Sequence, residues 1–467
     1  MTEQVAKGVR TRAVAEWVTT AGYRDFPQEA ITHAKSLLLK TVTGMVVGSR
    51  EPISKILTTY FLQTGGAPEA GIAGAGYRTS VENAAFANAT FAHGSELEDN
   101  ELPSITSDYW MFPALFSLAE KQVSSGREII EAAIVSWEVA SRFCRAAEGY
   151  RLMQVHICPP SWFGVLGVAA AGARLLRLSA KETAHALSIA GSNASGLGQA
   201  GCDVHFLESG HTCRNGLQAA ILAKAGATGE IGILELPFGL YAPVKAAGAE
   251  VDLDSISANL GKPPYNITDA CIKKYSACTF AHTSIDGLGL LMKEHNVRYE
   301  EIQQVETQVG AVAQMAVGLR PNPVDLQEAR FSLEYLLAEV MLRGKVDVDS
   351  FIGPETLSDP RHKEAESKVR VSSLPDVHPA APSAQVTVVK KNGEKLVKRL
   401  DGWIGSPQHP LTLEQVKDVC RPYLEVMLNK AQCDRVEELM LNLERQPDIL
   451  ELMDILTFGR VGHRGHV

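Results

Sequence analysis

The sequence predicts a mostly α protein, with a large all-α helical domain formed by both chain ends and a small α+β domain inserted between them. Apolar residues recur at steps of three and four through residues 10–260 and again from Thr412, which is the spacing of a buried helix face. Between these stretches, apolar and polar residues alternate as they do in β-strands. At 467 residues, the chain has room for one large domain that carries a smaller one. We therefore expect the helical domain to comprise residues 1–264 and 404–467, and the small domain to comprise residues 265–403.

The first helices are predicted from their apolar spacing. After Asp25, Phe26 and Pro27, which are typical of a helix start, apolar residues follow at helical steps as far as Gly48. The same pattern is rich in Ala and Gly, which let helices approach closely, and it recurs in residues 84–92, 112–121, 128–147, 162–176, 180–190 and 215–225. This part of the chain is therefore predicted to be an all-α bundle.

The strands of the small domain are predicted from a change of period. Residues 301–309, 384–389 and 395–400 alternate apolar with polar side chains. Asn392 and Gly393, which separate the last two runs, form a strong hairpin signal. The sequence thus indicates a small sheet that contains a hairpin.

Helical runs accompany these strands. Residues 283–294 and 331–342 have helical spacing, which makes the inserted region α+β rather than a continuation of the bundle. The helical period returns after Thr412, and we expect these last helices to pack on the first half of the chain.

Charge and composition argue against several classes of function. The chain carries 45 Lys and Arg against 54 Asp and Glu, a net charge of -9, which is opposite in sign to a nucleic-acid-binding surface. No apolar run is long enough to cross a bilayer, and residues 1–12 lack a signal-peptide pattern, so we expect a cytoplasmic protein with no membrane partner. The eight cysteines form no CxxC pairs, which suits a reducing compartment and offers no ligand spacing for a metal.

Common cofactor and catalytic motifs are absent from the sequence. The Gly74-Ala75-Gly76 run does not follow a strand of a βαβ unit, so it fails as a dinucleotide fingerprint. The sequence contains no P-loop, no HExxH and no GxSxG. These patterns give no support to a nucleotide cofactor, an NTPase, a zincin or an α/β-hydrolase.

Three carboxylates follow the end of an Ala-rich helix, at Glu96, Glu98 and Asp99. Carboxylates that crowd at a buried place push one another's pKa values apart, which supplies an acid and a base at one pH. A solvated loop is the alternative explanation of the same run.

A glycine-rich run extends from Gly196 to Gly216 and contains His205, His211 and Arg214. Converging backbone N–H groups, together with these side chains, would form a cradle for a carboxylate. A flexible loop that holds its histidines by chance would have the same composition.

A third cluster contains Lys273 and His282, at the point where helical spacing gives way to the small domain. A lysine supplies fixed positive charge for an acidic substrate, and a histidine can move protons near neutral pH. A histidine at a helix start also serves as a cap or as a core residue.

In this order along the chain, the clusters resemble the MmgE/PrpD family, which includes 2-methylcitrate dehydratase, cis-aconitate decarboxylase and iminodisuccinate epimerase. The resemblance runs through nearly the whole chain. Further matching segments are Cys158-Pro-Pro-Ser-Trp-Phe-Gly164, Ala190-Gly-Ser-Asn-Ala-Ser-Gly196, Arg330-Phe-Ser-Leu-Glu-Tyr335 and Pro410-Leu-Thr412. The resemblance implies a homodimer, no metal or organic cofactor, and a site in a cleft between a helical domain and a small α/β domain.

Residue matching implies which side chains form that site. The family's acidic D-x-D-D-[ST] run matches Glu96, Glu98, Asp99 and Asn100, so the acidic character persists while the lead residue is one methylene longer. In the H-P-[SG] segment that follows, Thr106 takes the place of a histidine.

The middle segments depart further from the family pattern. The histidine of an H-P pair falls on Cys158, with His156 two residues upstream. The lysine of the T-K-x-[LF]-H-x-G segment falls on His205, and its histidine falls on Glu208. Among the family's lysine and histidine positions in these segments, the lysine position that falls on His205 keeps a side chain that can carry a positive charge.

The inserted region keeps more of the pattern. Lys273 matches the lysine of the K-x-[YF]-P-[SC] segment, His282 matches the T-H histidine, and Tyr335 matches the tyrosine of F-S-x-x-Y. Cys278 stands where the decarboxylase carries a histidine.

The resemblance therefore predicts a cofactor-independent, dehydratase-like lyase that acts on a small carboxylic acid by proton transfer at the carbon next to a carboxylate. The loss of cations predicts a substrate less anionic than a tricarboxylate, unless Arg214 or Lys274 compensates. The expected catalytic residues are Lys273, His205, His156, Glu96, Asp99 and Tyr335. The expected substrate-binding residues are Asn100, Cys158, Arg214, Cys278 and His282.

In this mechanism, Tyr335 and the backbone of residues 196–201 steady the developing enolate. Three alternatives remain: an isomerase or epimerase of a small dicarboxylate, a decarboxylase like cis-aconitate decarboxylase, and a catalytically inactive binding paralog.

Overall fold

A computed structural model describes residues 8–102, 104–198, 202–351 and 353–459. Helices, including short 3₁₀ turns, account for 58% of the described residues, which confirms the prediction of a mostly α protein. The chain divides into two compact units, which we call the first unit (residues 1–270 and 412–467) and the second unit (residues 271–411). Within the described ranges, none of the helices combines the length and the apolar character needed to cross a membrane.

The first unit begins with a series of helices. They are α1 (Val9–Thr20), α2 (Gln28–Gly48), α3 (Pro52–Thr64), α4 (Val81–Gly94), α5 (Phe112–Gln122), α6 (Gly126–Arg145), α7 (Tyr150–Gln154), α8 (Pro159–Leu175), α9 (Ala180–Ser192), α10 (Cys202–Lys224) and α11 (Ala242–Ala246). Two short antiparallel strand pairs lie between these helices. They are β1 (Ala70–Gly71) with β2 (Arg78–Thr79), and β3 (Asn100–Glu101) with β4 (Thr106–Ser107).

Helix α2 shows how the apolar spacing produces the bundle. Ile31, Leu38, Val42 and Val46 are buried as their spacing predicts. The helix begins at Gln28 with Pro27 at its N-cap, slightly later than the start predicted from the sequence. Contacts along its length join α2 to α4 and α6.

Helix α10 corrects one prediction. The run from Gly196 to Gly216 was expected to be a loop or a cradle, but from residue 202 onward it is helical. The glycines serve close helix packing instead: a Cβ at Gly210 would lie 2.5 Å from Oγ1 of Thr90 in α4, and a Cβ at Gly216 would lie 2.5 Å from Cβ of Val168 in α8. Residues 199–201 of the expected cradle lie outside the described part of the chain.

The second unit combines a sheet with helices. Its helices are α12 (His282–Glu294), α13 (Ala311–Val317), α14 (Leu326–Ala329), α15 (Leu333–Arg343) and α16 (Pro360–Ser367). Its strands are β5 (Ile302–Val309), β6 (Val369–Ser373), β7 (Ala384–Lys390) and β8 (Lys395–Leu400). The strand order is β6-β5-β7-β8, with β5 parallel to β6 and the other neighbours antiparallel.

Alternation places one face of this sheet in the core. Val305 pairs with Val388, and both side chains are buried, while α12 packs on β7 and β8. The predicted hairpin is confirmed, and Gly393 adopts the positive φ of 87° that its turn requires. Strand β6 was not predicted.

The chain then returns to the first unit. Its last helices are α17 (Leu413–Leu424), α18 (Lys430–Leu441) and α19 (Leu450–Phe458). Helices α17 and α18 contact α2, which confirms that the C-terminal helices pack on the first half of the chain.

Candidate active site

A buried acidic segment connects α4 to α5. Glu96, Glu98, Asp99 and Asp108 all lie below the surface of the first unit, and Glu96 is only 1% exposed. The solvated-loop explanation of this run is therefore wrong. Carboxylates are rarely buried without a compensating structural or chemical reason, so this segment is the natural starting point for a site.

Glu96 and His205, two of the expected catalytic residues, lie close together. Oε1 of Glu96 lies 3.4 Å from Nε2 of His205 and 4.0 Å from Nε2 of His93. The two imidazole rings face one another with their centroids 4.4 Å apart. The side chain of His205 remains 28% exposed, whereas those of His93 and Glu96 are buried. We call this group of three side chains the Glu96 cluster.

Secondary structure explains how the Glu96 cluster forms. His93 is in the last turn of α4, His205 is in the first turn of α10, and these two helices pack closely. Glu96 follows α4 directly and adopts a φ of 53°, in the left-handed region that is uncommon for a residue with a long side chain. Such a backbone costs roughly 1–3 kcal/mol, and it is retained where the surrounding structure requires that side-chain position.

Two further carboxylates of the same segment, those of Asp99 and Asp108, lie close together. Oδ1 of Asp108 accepts hydrogen bonds from the backbone N–H groups of Asp99 (2.9 Å) and Tyr109 (2.8 Å), and Oδ2 accepts one from Thr41 Oγ1 (3.2 Å). Nζ of the buried Lys40 lies 3.9 Å from Oδ1 of Asp99. Burial, followed by the nearby charge of Asp99, raises the pKa of Asp108 well above its usual range.

Sequence reasoning missed Lys40 and Asp108. A weak signal existed for Lys40, which interrupts the buried apolar run of α2. Asp108 has no comparable signal, because its role depends on hydrogen bonds to residues that only the fold brings near it.

The expected residue Asn100 is buried in β3, where it pairs with Ser107 of β4. This places its side chain on the acidic segment, four residues beyond Glu96. The matched position Thr106 is also buried, and Ser104 donates a hydrogen bond of 2.8 Å to its hydroxyl.

Cys158 and Glu208 form a separate contact in the first unit. Cys158 is the N-cap residue of α8, and its thiol lies near the Glu208 carboxylate. Burial, together with the Glu208 charge, raises the pKa of Cys158, so the thiol form is favoured. The Glu208 carboxylate also accepts the backbone N–H of Leu197 at 3.0 Å. His156 lies two residues before Cys158. Its side chain is exposed, and its backbone φ is 63°.

Arg214 is not brought to the Glu96 cluster. It lies nine residues beyond His205 on α10, which corresponds to about 13 Å along the helix axis. Its guanidinium stacks over the ring of Phe86 at 4.4 Å and donates to Oδ1 of Asn83 at 3.0 Å. Arg214 therefore supports packing between α10 and α4.

In the second unit, Lys273 is fully buried. Its neighbour Lys274 forms an ion pair with Asp286 at 2.9 Å, and the Tyr275 hydroxyl donates to the same carboxylate at 2.6 Å. Lys274 therefore already has a carboxylate partner within its own unit.

His282 begins α12 and has both ring nitrogens engaged. Its Nε2 accepts the backbone N–H of Tyr275 at 3.3 Å, so Nδ1 is the donor to the carbonyl of Cys278 at 3.2 Å. The ring also lies against Trp403, with centroids 5.4 Å apart. This arrangement makes His282 an organiser of the segment that contains Lys273 and Cys278.

Tyr335 is buried in α15. Its hydroxyl donates a hydrogen bond of 2.8 Å to the carbonyl of Ser350, and its ring faces His362 with centroids 4.5 Å apart. Burial raises the pKa of Tyr335, so the phenol stays protonated at neutral pH.

Comparison with known proteins supplies independent information. Residues 12–250 match the MmgE/PrpD N-terminal domain, and residues 275–445 match the MmgE/PrpD C-terminal domain. Together, the two matches span most of the chain, with the N-terminal domain of the family first and the C-terminal domain second.

Curated relatives are similar over most of their length. A cis-aconitate decarboxylase-like protein, oryM, from Aspergillus oryzae is 25% identical, with 98% of this chain and 99% of the relative covered. Human cis-aconitate decarboxylase is 28% identical, with 80% of this chain and 79% of the relative covered. Cis-aconitate decarboxylase of Aspergillus terreus is 24% identical, with 97% and 96% covered.

Proposed function

The chain belongs to the MmgE/PrpD family, and on that premise we propose that it is a lyase that acts on a small carboxylic acid by moving a proton at the carbon next to a carboxylate. The observation that carries this proposal is the 3.4 Å contact between the buried Glu96 carboxylate and the partly exposed His205 imidazole. A paired carboxylate and imidazole exchange protons readily near neutral pH, and one partner can act as base while the other compensates the charge.

The preferred reaction is a dehydration. A base in the Glu96 cluster removes the proton from the carbon beside the substrate carboxylate, and an acid gives a proton to the departing hydroxyl group. The products are an alkene and water, so all atoms and charges balance. His205 is the member of the pair with solvent-accessible surface, and we assign the proton transfer with substrate to it, supported by Glu96.

Lys273 is proposed to hold the substrate carboxylate because it keeps the identity of the lysine in the matching family segment. Four positions where the family pattern has histidine carry another residue in this chain: Thr106, Cys158, Glu208 and Cys278. Lys274, which would otherwise compensate, is paired with Asp286. Each charge-assisted contact is worth about 1.5–3 kcal/mol, so these substitutions favour a substrate with fewer carboxylates than a tricarboxylate.

Decarboxylation is the second candidate. The curated relatives described above are named cis-aconitate decarboxylases or decarboxylase-like proteins, which favours it. Loss of carbon dioxide leaves a carbanion next to the remaining carboxylate, and that carbanion must be protonated. The same His205 and Glu96 pair would supply the proton, so the two candidates differ in the bond that breaks.

Solvent deuterium tests the proposal directly. The purified chain is incubated in D2O with a panel of hydroxy and unsaturated acids of about four to seven carbons, and products are followed by NMR. We expect deuterium at the carbon next to a carboxylate in at least one acid. Alkene absorbance then identifies a dehydratase, carbon dioxide release identifies a decarboxylase, and a change of optical rotation without a change of composition identifies an isomerase.

Variants connect the reaction to the site. His205→Asn should slow deuterium incorporation by about 10²–10⁴-fold, because it removes the proton-transferring ring. His295→Ala, which removes an exposed histidine at the end of α12, is the matched control and should keep the wild-type rate. Absence of exchange with every acid, or equal rates for wild type and His205→Asn, contradicts the proposal.

A further inference from the structure

We propose that His93, Glu96 and His205 form a binding site for one divalent transition-metal cation, and that the cation uses the same atoms as the proposed proton transfer. The first part of this inference rests on the geometry of the first unit alone. The second part rests on the proposed function.

The three donor atoms are arranged around a common point. One carboxylate oxygen of Glu96, one ring nitrogen of His93 and one ring nitrogen of His205 lie within 4.8 Å of one another. Ligands held at about 2.0–2.2 Å from a tetrahedral zinc ion lie roughly 3.3 Å apart. The Glu96 to His205 distance of 3.4 Å already fits this geometry. The Glu96 to His93 distance of 4.0 Å needs only a small rotation of side chains to shorten.

The chemistry of the donors selects the class of metal. Two imidazoles and one carboxylate suit zinc, cobalt, nickel, copper or iron better than magnesium or calcium, which prefer oxygen ligands. Three protein ligands leave at least one coordination position open for water. The two imidazoles are neutral ligands, so a bound dication would leave the cluster with one net positive charge after the Glu96 carboxylate is counted.

The site is held in place before any metal binds. The ring of His93 packs against Trp110 and Phe206, with centroid distances of 4.8 and 5.5 Å. The side chains of His93 and Glu96 are buried, whereas His205 is accessible and would provide the route of entry. Ligands that are fixed by packing lose little conformational freedom on binding, which favours affinity.

The sequence did not indicate this site, because its ligands come from α10 and from the end of α4, which are far apart in the chain. Metal ligation requires the lone pairs of both Nε2 atoms and of the Glu96 oxygen. A bound cation therefore occupies the atoms that would otherwise exchange a proton. We infer that a transition metal and proton transfer at the Glu96 cluster are mutually exclusive.

Cobalt provides a readout that does not depend on activity. The full chain is freed of metal with a chelator, dialysed and titrated with Co²⁺, while visible absorbance and equilibrium dialysis report ligand type and stoichiometry. We expect one Co²⁺ per chain. Glu96→Gln, His93→Ala and His205→Ala should each weaken binding at least about tenfold. The exposed His295→Ala control should bind as the wild type does.

Circular dichroism identifies variants that have lost their fold, and Glu96→Gln, which preserves side-chain size, is the decisive one. Failure of the wild type to bind one equivalent of Co²⁺, or unchanged binding by folded Glu96→Gln, overturns the metal site. Saturable binding that only the three ligand variants lose supports it.

The outcomes also separate the two proposals. Co²⁺ binding without deuterium exchange in the metal-free chain would keep the metal site and reject the proposed lyase. Deuterium exchange without Co²⁺ binding would keep the proposed lyase and reject the metal site. Where both are observed, one equivalent of Zn²⁺ should stop the exchange and a chelator should restore it. Exchange that continues at the wild-type rate with zinc bound contradicts the shared use of these atoms.

Discussion

Each unit contains a histidine that contacts glutamate, but the geometry of the two contacts differs. In the first unit, His205 contacts Glu96 through Nε2 and keeps part of its ring exposed. In the second unit, His362 is 2% exposed, with Nε2 at 3.2 Å from Glu339 and Nδ1 at 2.8 Å from Glu366. A ring whose two nitrogens are both held by buried acids has no lone pair or proton to offer a substrate. His362 is thus a structural link between α15 and α16.

The acids around His362 are themselves paired. Glu339 binds Arg343 at 2.6 Å, and Glu366 binds Lys363 at 3.0 Å. A buried network in which each charged group lies close to a group of opposite charge stabilises one arrangement of helices. A buried titratable residue is therefore a poor guide to function by itself, and access to the ring is what distinguishes His205.

The largest expected effect tests this difference through activity. Glu96→Gln should lower kcat/KM by about 10²–10⁴-fold, because the amide cannot exchange a proton with His205. Glu339→Gln makes the same chemical change beside His362 and should leave kcat/KM within about twofold at a temperature where the variant is folded. Steady-state rates for the acid identified by deuterium exchange provide the measurement. Equal losses in the two variants would remove the distinction between the two contacts.

The second effect tests the same difference through stability. His362→Ala removes the partner of two buried acids and should destabilise the second unit by about 3–5 kcal/mol. Hydrogen exchange in α15 and α16 reports this loss locally, and urea unfolding reports it for the whole chain. The exposed His295→Ala control should stay within about 0.5 kcal/mol of the wild type. A His362→Ala variant as stable as this control would show that the contacts of His362 with Glu339 and Glu366 do not contribute to the free energy of unfolding.

Much of the fold could be predicted from the sequence, because each prediction used a local pattern. The apolar spacing of α2 and the Asn392-Gly393 turn both describe short stretches of chain whose burial follows directly from their period. The failures have physical causes. Gly210 in α10 resembles a loop residue, yet it is needed where α4 approaches closely. Strand β6 has only five residues at the edge of its sheet, too few for a clear alternation.

The candidate site likewise contains some residues that could be predicted from the sequence and others that could not. Glu96 and His205 could be anticipated because each lies in a segment that resembles a family motif. The contacts of Asp108 with Asp99 and Thr41, and the approach of His93 to the same carboxylate, are set by helix packing, which no local pattern records. Prediction from sequence therefore named both residues of the Glu96–His205 contact and missed the groups that pack around it.

The smallest expected effect is the pH dependence of the stability that His362 contributes. Burial alone would lower the pKa of His362, but its contacts with Glu339 and Glu366 outweigh burial and raise that pKa above the usual histidine value. The folded chain therefore binds this proton more tightly than the unfolded chain. Its contribution to stability is complete below the unfolded pKa of about 6.5 and is lost as the pH rises through the folded pKa. The free-energy difference between wild type and His362→Gln, measured by urea unfolding, should shrink steadily from pH 6 to about pH 9. A difference that grows over this range would mean that His362 is held neutral between its two acids.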